Sequence, residues 1–344
     1  MNRFKYIYIM ALLLVACNES GDEFLAGNEI AMSARIVENA ETRALSTNEI
    51  LGKVPSDTYP VNALLCFSEA SGTYKHEPAA PSYLPCHTTI SYTSANKTYP
   101  NTFKVNDGNG NMVDVSPRYP IGDAAYCVGL HPADGWTFNN PDSKVASHAI
   151  DNRSDIMFAP EISGTYGTQF GAQTYTHLQA WLKIVLCAMT HEAIEMWGGV
   201  KSISLKGAKK VNIDLAATIT SESFVGANKK ITYTDEQDIH VITESDDYTL
   251  DILLKDAGSF FYVPLHDANN GILAENTLKI VTENMGEREV KFKLTDKNGN
   301  EITNIYDAIG KLYILELHFQ HIDQIKASCT LESWEAIDDN LYMK

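Results

Sequence analysis

The chain has little positive charge. Against 44 aspartates and glutamates it sets 27 lysines and arginines, a formal net charge of −17 over 344 residues. A field of that sign repels phosphate backbones and anionic lipid surfaces, which argues against nucleic acid as a partner. Cysteine is sparse and badly spaced for chemistry. There are six, with no Cys-x-x-Cys, so neither a zinc site nor a thioredoxin-like dithiol has support. Catalytic signatures are missing too. His191-Glu192 is not followed by a second histidine at helical spacing, no Gly-x-Ser-x-Gly occurs, and no glycine loop could cradle a phosphate. Asp107-x-Asn109-x-Asn111 and Asp296-x-Asn298-x-Asn300 begin like calcium loops. Both lack the glycine at the sixth position (Met112, Glu301) and the glutamate at the twelfth (Arg118, Asp307), so both read as hairpin turns. His318 and His321, three apart in a strand, would point to opposite faces rather than share a metal. These absences predict a protein that is not an enzyme and needs no metal or cofactor.

What is present begins at the N-terminus. Arg3 and Lys5 precede an apolar run from about Tyr6, which closes on Leu14-Val15-Ala16-Cys17. The run is short of the about 20 apolar residues that span a bilayer, and nothing later in the sequence is long enough either. Charged, apolar and small residues in that order make an export signal. A small residue followed by cysteine is similar to a bacterial lipobox, which implies cleavage between Ala16 and Cys17 and lipidation of Cys17. Residues 1–16 are then the signal peptide and 17–27 an acidic linker. Asn18-Glu19-Ser20-Gly21-Asp22-Glu23 reads either as a plain solvated spacer or as a stretch that resembles the acidic tract directing some lipoproteins to the outer cell surface.

Beyond the linker the pattern is β. Val211–Leu215, Val290–Leu294 and Ile325–Glu332 alternate apolar and polar residues, which puts one side chain in a core and the next in water. Residues 30–37, Val61–Phe67, 124–130, Ile156–Ala159, Tyr248–Leu254, Phe260–Val263, Leu278–Thr282 and Leu312–Phe319 read as further strands, and Gln179–Ala188 as a fully buried one. Phe103–Val105 and Met112–Val115 form a hairpin about Asn106–Asn111. Thr190–Trp197 predicts one or two helical turns stopped by Gly198-Gly199. Residues 68–100, rich in Ser, Thr, Pro and Tyr, read as long surface loops. Four of the five remaining cysteines (Cys66, Cys127, Cys187, Cys329) lie in apolar strand-like runs and read as small core residues; Cys86 is the fifth. Trp136, Trp181, Trp197 and Trp334 read as core. The loop tyrosines Tyr74, Tyr83, Tyr92 and Tyr99 could cap a sandwich edge or stack on sugar rings. Many short strands with turn signals predict an all-β protein of two sandwiches in series. The Gly/Tyr/Gln-rich stretch 163–172 places the boundary, giving domains of 28–171 and 172–344.

Several stretches, in order, are shared with one family. They are the lipobox, Glu41-Thr42-Arg43-Ala44, Asp155-Ile156-Met157-Phe158-Ala159, the run from His177 to Ile184, and Trp197-Gly198-Gly199 through Leu205. Phe261-Tyr262-Val263-Pro264, Gly310-Lys311-Leu312-Tyr313 through Leu317, and Ile325 through Trp334 complete the set. Together they resemble the fimbrillin family of Bacteroidales surface pili. The resemblance implies two tandem transthyretin-like β-sandwiches and export as an outer-membrane, surface-exposed lipoprotein. It also implies proteolytic removal of the first strand by a cut after an arginine. The matching bond is Arg43–Ala44, which would remove residues 28–43 from the first domain. Arg35, inside a strand-like run, is the competing site. A strand from a neighbouring fimbrial subunit would then fill the groove (donor-strand exchange), building the fimbrium without any cofactor. The sequence departs from a donor pattern after Trp334, where Ile337, Leu341 and Tyr342 alternate poorly and Asp338-Asp339 interrupts them. Stalk, tip or accessory, and anchoring subunit therefore all stay open. The rival reading is a surface glycan-binding lipoprotein, which would take a host or bacterial surface ligand on the loop tyrosines.

Overall fold

The computed structural model describes residues 29–30, 32, 34–37, 61–74, 85–90, 102–106, 111–120, 123–138, 144–243 and 248–332. In chain order the strands are β1 (Ala34–Val37), β2 (Val61–Ser68), β3 (Cys86–Ile90), β4 (Phe103–Asn106), β5 (Met112–Val115) and β6 (Ala125–His131). Next come β7 (Thr137–Phe138), β8 (Val145–Ala149), β9 (Met157–Gly164), β10 (Gln173–His177), β11 (Ala180–Ala188) and β12 (Val200–Asp214). The last six are β13 (Ile231–Ile242), β14 (Lys255–Tyr262), β15 (Asn276–Thr282), β16 (Gly286–Phe292), β17 (Leu312–Gln320) and β18 (Gln324–Glu332). Among the described residues two short α-helices interrupt them, α1 (His191–Trp197) and α2 (Ile305–Ala308), with one 3-10 turn at Ser221–Ser223. The protein is all-β, as its alternation predicts.

The described strands form three sheets. The first has eight strands in the order β1-β10-β9-β6-β2-β3-β4-β5; the second has four, β14-β11-β17-β18; the third runs β16-β15-β12-β8-β7, with β13 also on β12. The stretch expected as a domain boundary connects β9 to β10, which pair antiparallel through Thr176–Phe158 and His177–Met157. β8, from before that stretch, pairs with β12, from well after it. Strands from both sides of residue 171 are thus interlocked.

Three large cores follow from the alternation among the described residues, beside a small cluster of Trp181, Phe261 and Leu312. In one, Ile203 and Leu205 of β12 and Ile280 of β15 face Leu315, Leu317 and Phe319 of β17, with the Trp197 ring edge-on to Phe319 at 5.5 Å. In another, Val211 and Ile213 of β12 face Leu64, Cys66, Val128, Leu130 and Phe158 of the first sheet. The third lies on the opposite face of that sheet, where Ala63, Leu65 and Phe67 of β2 meet Phe103, Tyr175, Ile30 and Met32. Every residue of β2 except Asn62 is buried because this strand serves two cores at once. β12 does the same lengthwise: its first half packs in one sandwich and its second half in the other.

Local chemistry explains the interruptions. Thr190 caps α1 by accepting from the Ala193 amide at 3.2 Å, and Gly198 ends it with φ of 69°. The turn at Asp296 is a hairpin: Asp296 Oδ1 accepts from the amides of Asn298 and Asn300 at 2.8 Å each, between the bridged Thr295 and Glu301. Two expectations fail. Tyr248–Leu254 is not a strand. Only Tyr248 makes a bridge, to Val200, and the Ala188 amide is taken by Asp251 O, so the segment turns away before the β14 ladder begins at Lys255. Residues 68–100 are not all loop either, because Cys86–Ile90 is an inner strand between β2 and β4.

Tyr74 is core rather than a sugar-stacking loop residue. It is buried, and its hydroxyl donates to Glu161 at 2.5 Å, alongside Ser71 Oγ at 2.6 Å and the Gly72 amide at 2.8 Å on the same carboxylate. Tyr83, Tyr92 and Tyr99 lie outside the described residues. Trp181 and Trp197 are buried and Trp136 half-buried; Trp334 lies outside the described residues. All five described cysteines are buried, and burial pushes the thiols of Cys86 and Cys329 up to about 12, so they stay protonated and inert.

Candidate strand-exchange edge

The first sheet ends at β1. This strand pairs with β10 in parallel, Ala34 with Gln173, Arg35 with Thr174, Ile36 with Tyr175 and Val37 with Thr176. Just upstream, the Ile30 amide donates to Pro117 O at 2.9 Å and Glu29 bridges Arg118. That hold places Ile30 and Met32, both buried, in the core with Val61, Phe103, Tyr119 and Phe170. The segment thus does two jobs. Its four-residue strand completes the ladder, and Ile30 and Met32 before it plug the apolar face.

The accepting strand is unusual in being polar and buried. Gln173, Thr176 and His177 of β10 are all inaccessible or nearly so. Gln173 and His177 find side-chain partners. Gln173 Oε1 accepts from Tyr175 Oη at 2.9 Å, Gln173 Nε2 donates to Cys127 Sγ at 3.4 Å, and His177 Nδ1 lies 2.6 Å from Asp155 Oδ2. Burial raises the Tyr175 phenol well above its ordinary range, keeping it a donor. At the other end of β10 the Phe170 amide donates to Tyr119 Oη at 2.9 Å, with the two rings 5.3 Å apart.

Magnitudes decide what this edge can do. Burying Ile30 and Met32 contributes about 1.5–3 kcal/mol each, and each ladder bond roughly 1 kcal/mol more. A domain's whole stability is about 5–15 kcal/mol. Losing the segment therefore removes a large share of it and leaves unpaired N–H and C=O groups along β10, a template for another chain.

Of the residues singled out in the sequence, Arg35 is placed within β1, where its backbone is engaged opposite Thr174. Ala16, Cys17, Arg43 and Ala44 lie outside the described residues, as does the stretch after Glu332. Sequence reasoning did not single out β10. Its Gln-Thr-Tyr-Thr-His order alternates, but with polar residues at buried positions, so no apolar signal marks it. Among the described residues no group of three metal-ligating side chains converges, and no helix is long and apolar enough to cross a membrane.

No protein-family model matches the chain, and no curated protein matches it in sequence. Solved structures do. A proposed cell adhesion protein from Bacteroides uniformis superposes with a TM-score of 0.50 at 13% identity, covering 89% of this chain and 99% of that one. Another from Bacteroides ovatus gives 0.50 at 12% identity, with 90% and 99% covered. This chain has their fold. The tip fimbrial protein Mfa3 from Porphyromonas gingivalis also matches, more loosely, with a TM-score of 0.37 at 12% identity and 89% and 99% covered. The all-β sandwich architecture implied by the fimbrillin resemblance is the observed one.

Proposed function

We propose that the chain is a structural subunit of a surface fimbrium, joined to its neighbours by strand exchange at β10. One observation carries the reading: β1 and the plug residues Ile30 and Met32 all lie upstream of the Arg43–Ala44 bond, so a single cut would free them together. The alternative site, Arg35, would leave part of the ladder behind and is engaged in it. On this reading the subunit is exported by its lipobox and held at the outer membrane by lipid on Cys17. The cut at Arg43 releases it, and a neighbour's strand then restores the ladder and refills the apolar slot. Such a joint resists dissociation kinetically. Residues 28–171 and 172–344 are the proposed domains, interlocked through β8 and β10. The poor alternation after Trp334 favours a tip or accessory position, which receives a strand without having to donate one. The subunit has no catalytic role. Its fold is also that of proteins proposed to act in cell adhesion, which accords with a place at the cell surface.

Digestion of the intact protein with an arginine-specific protease should yield a fragment beginning at Ala44 that assembles or binds partner subunits. Arg43→Ala should block both cut and assembly. Normal surface assembly of the Arg43→Ala protein would overturn the proposal.

A further inference from the structure

We infer that the first sheet carries a binding cleft for a neutral saccharide, away from the β1 edge. Its floor is the face of β2, β3 and β4 shared with Leu64. Register fixes which side chains lie there: Asn62 pairs with Thr89, Leu64 with His87, and His87 with Lys104. At Leu64 this face is apolar core. Beyond it, the side chains of Asn62, His87, Thr89 and Lys104 join Pro132 and Ala133 around a cleft of about 590 Å³ with a mixed polar and apolar lining.

The wall is the segment between β6 and β7, and it is built rigid. His131 Nδ1 lies 2.7 Å from Asn62 O, Trp136 Nε1 donates to Pro132 O at 2.7 Å, and His148 Nε2 lies 3.1 Å from Asp134 O. Gly135 has φ of +86°, and a Cβ there would stand 2.6 Å from His148 Nε2, so only glycine closes the turn. The result holds the Asp134 carboxylate out at 93% exposure, 3.5 Å from His87 Nδ1. On the far side of that pair a second cleft of about 350 Å³, which shares His87 and Asp134 with the first, reaches Trp136 and Met112.

A pre-formed wall lowers the ordering cost of binding. The lining supplies amide, hydroxyl, imidazole and carboxylate groups at one end and an aromatic edge at the other. That is complementary to a sugar, whose hydroxyls accept and donate while its C–H face is apolar. Lys104 and Asp134 bring opposite charges, so the site has no net preference for an acidic sugar.

The test is saturation-transfer NMR on the whole chain with cellohexaose, mannopentaose and chitotetraose, with trigalacturonate as the acidic control. At least one neutral oligosaccharide should receive saturation. Asp134→Ala and Asn62→Ala, both at exposed positions and expected to fold normally, should each weaken its binding by about tenfold, the scale of one lost polar contact. No transfer to any neutral probe, binding unchanged in both variants, or binding of trigalacturonate alone would each overturn the inference. None of these outcomes bears on strand exchange at β10, which the Arg43→Ala experiment tests separately.

Discussion

The hydroxyl of Tyr175 occupies the place a side chain on Gly129 would need: a Cβ built there would stand 2.2 Å from Tyr175 Oη. The two residues are separated by β9. Gly129 pairs with Ala159, and one step along the β9–β10 register from Thr176–Phe158 brings Tyr175 beside the same alanine. Two small residues in a row let the ring of β10 lie flat across two strands, with its hydroxyl on Gln173.

Gly129→Ala is therefore expected to destabilise the protein by about 1–3 kcal/mol, the cost of forcing one methyl into a filled core. Tyr175→Phe in the same chain should recover part of the loss, because it removes the nearest atom but leaves the ring carbon 2.7 Å away. Thermal melts of the two single variants and the double variant form the cycle that checks this. Simple additivity of the two losses would refute the contact.

Ile30→Ala with Met32→Ala should lower the urea midpoint of the uncut protein, by an amount equivalent to about 2–5 kcal/mol per buried side chain. The fragment beginning at Ala44 no longer contains either residue, so its behaviour must be identical whether prepared from wild type or variant. A variant as stable as wild type before cutting would mean the plug contributes nothing.

The pH dependence follows from two histidines whose pKa values burial lowers below 6.5, His131 and His266. A native pKa below the unfolded one means the unfolded chain binds more protons as pH falls through about 6.5. The contribution of both groups is whole above that pH and is lost below it, down to their native pKa values. Urea midpoints at pH 7.5 and 5.5 should differ, with the lower at pH 5.5. His131→Gln with His266→Gln should narrow the gap; an unchanged gap would assign the effect elsewhere.

Much of this fold was legible in the chain because its inner strands alternate cleanly. β18 is a case: its Ile325, Ala327, Cys329 and Leu331 turn inward while Lys326 and Thr330 stay out. β13 was not legible. Asp235 takes φ of 57° in the middle of it, and the pattern slips where Asp235 and Glu236 face solvent. Tyr248–Leu254 shows the converse failure. Its residues suit a strand, but it meets its neighbours only at isolated points, Tyr248 with Val200 and Asp251 with Ala188, and Leu253 is left 71% exposed. The candidate edge divided in the same way. The apolar segment around Ile30 was visible, whereas β10 hides its place behind buried Gln173 and His177, whose polar partners Tyr175, Cys127 and Asp155 no sequence pattern links to them.

β12 has a mechanical consequence. Its fifteen residues belong to both sandwiches, and β13 runs beside it from the pair Ile203–Ile242 to the pair Ile213–Ile231. Tension passing between the two cores that β12 serves travels along one covalent backbone rather than across a linker. The hydrogen bonds beside it are loaded in shear, so they must fail together and not one after another. A pull along this strand thus meets the strength of the whole ladder, as the stress on a rope of overlapped fibres is borne by all of the overlap.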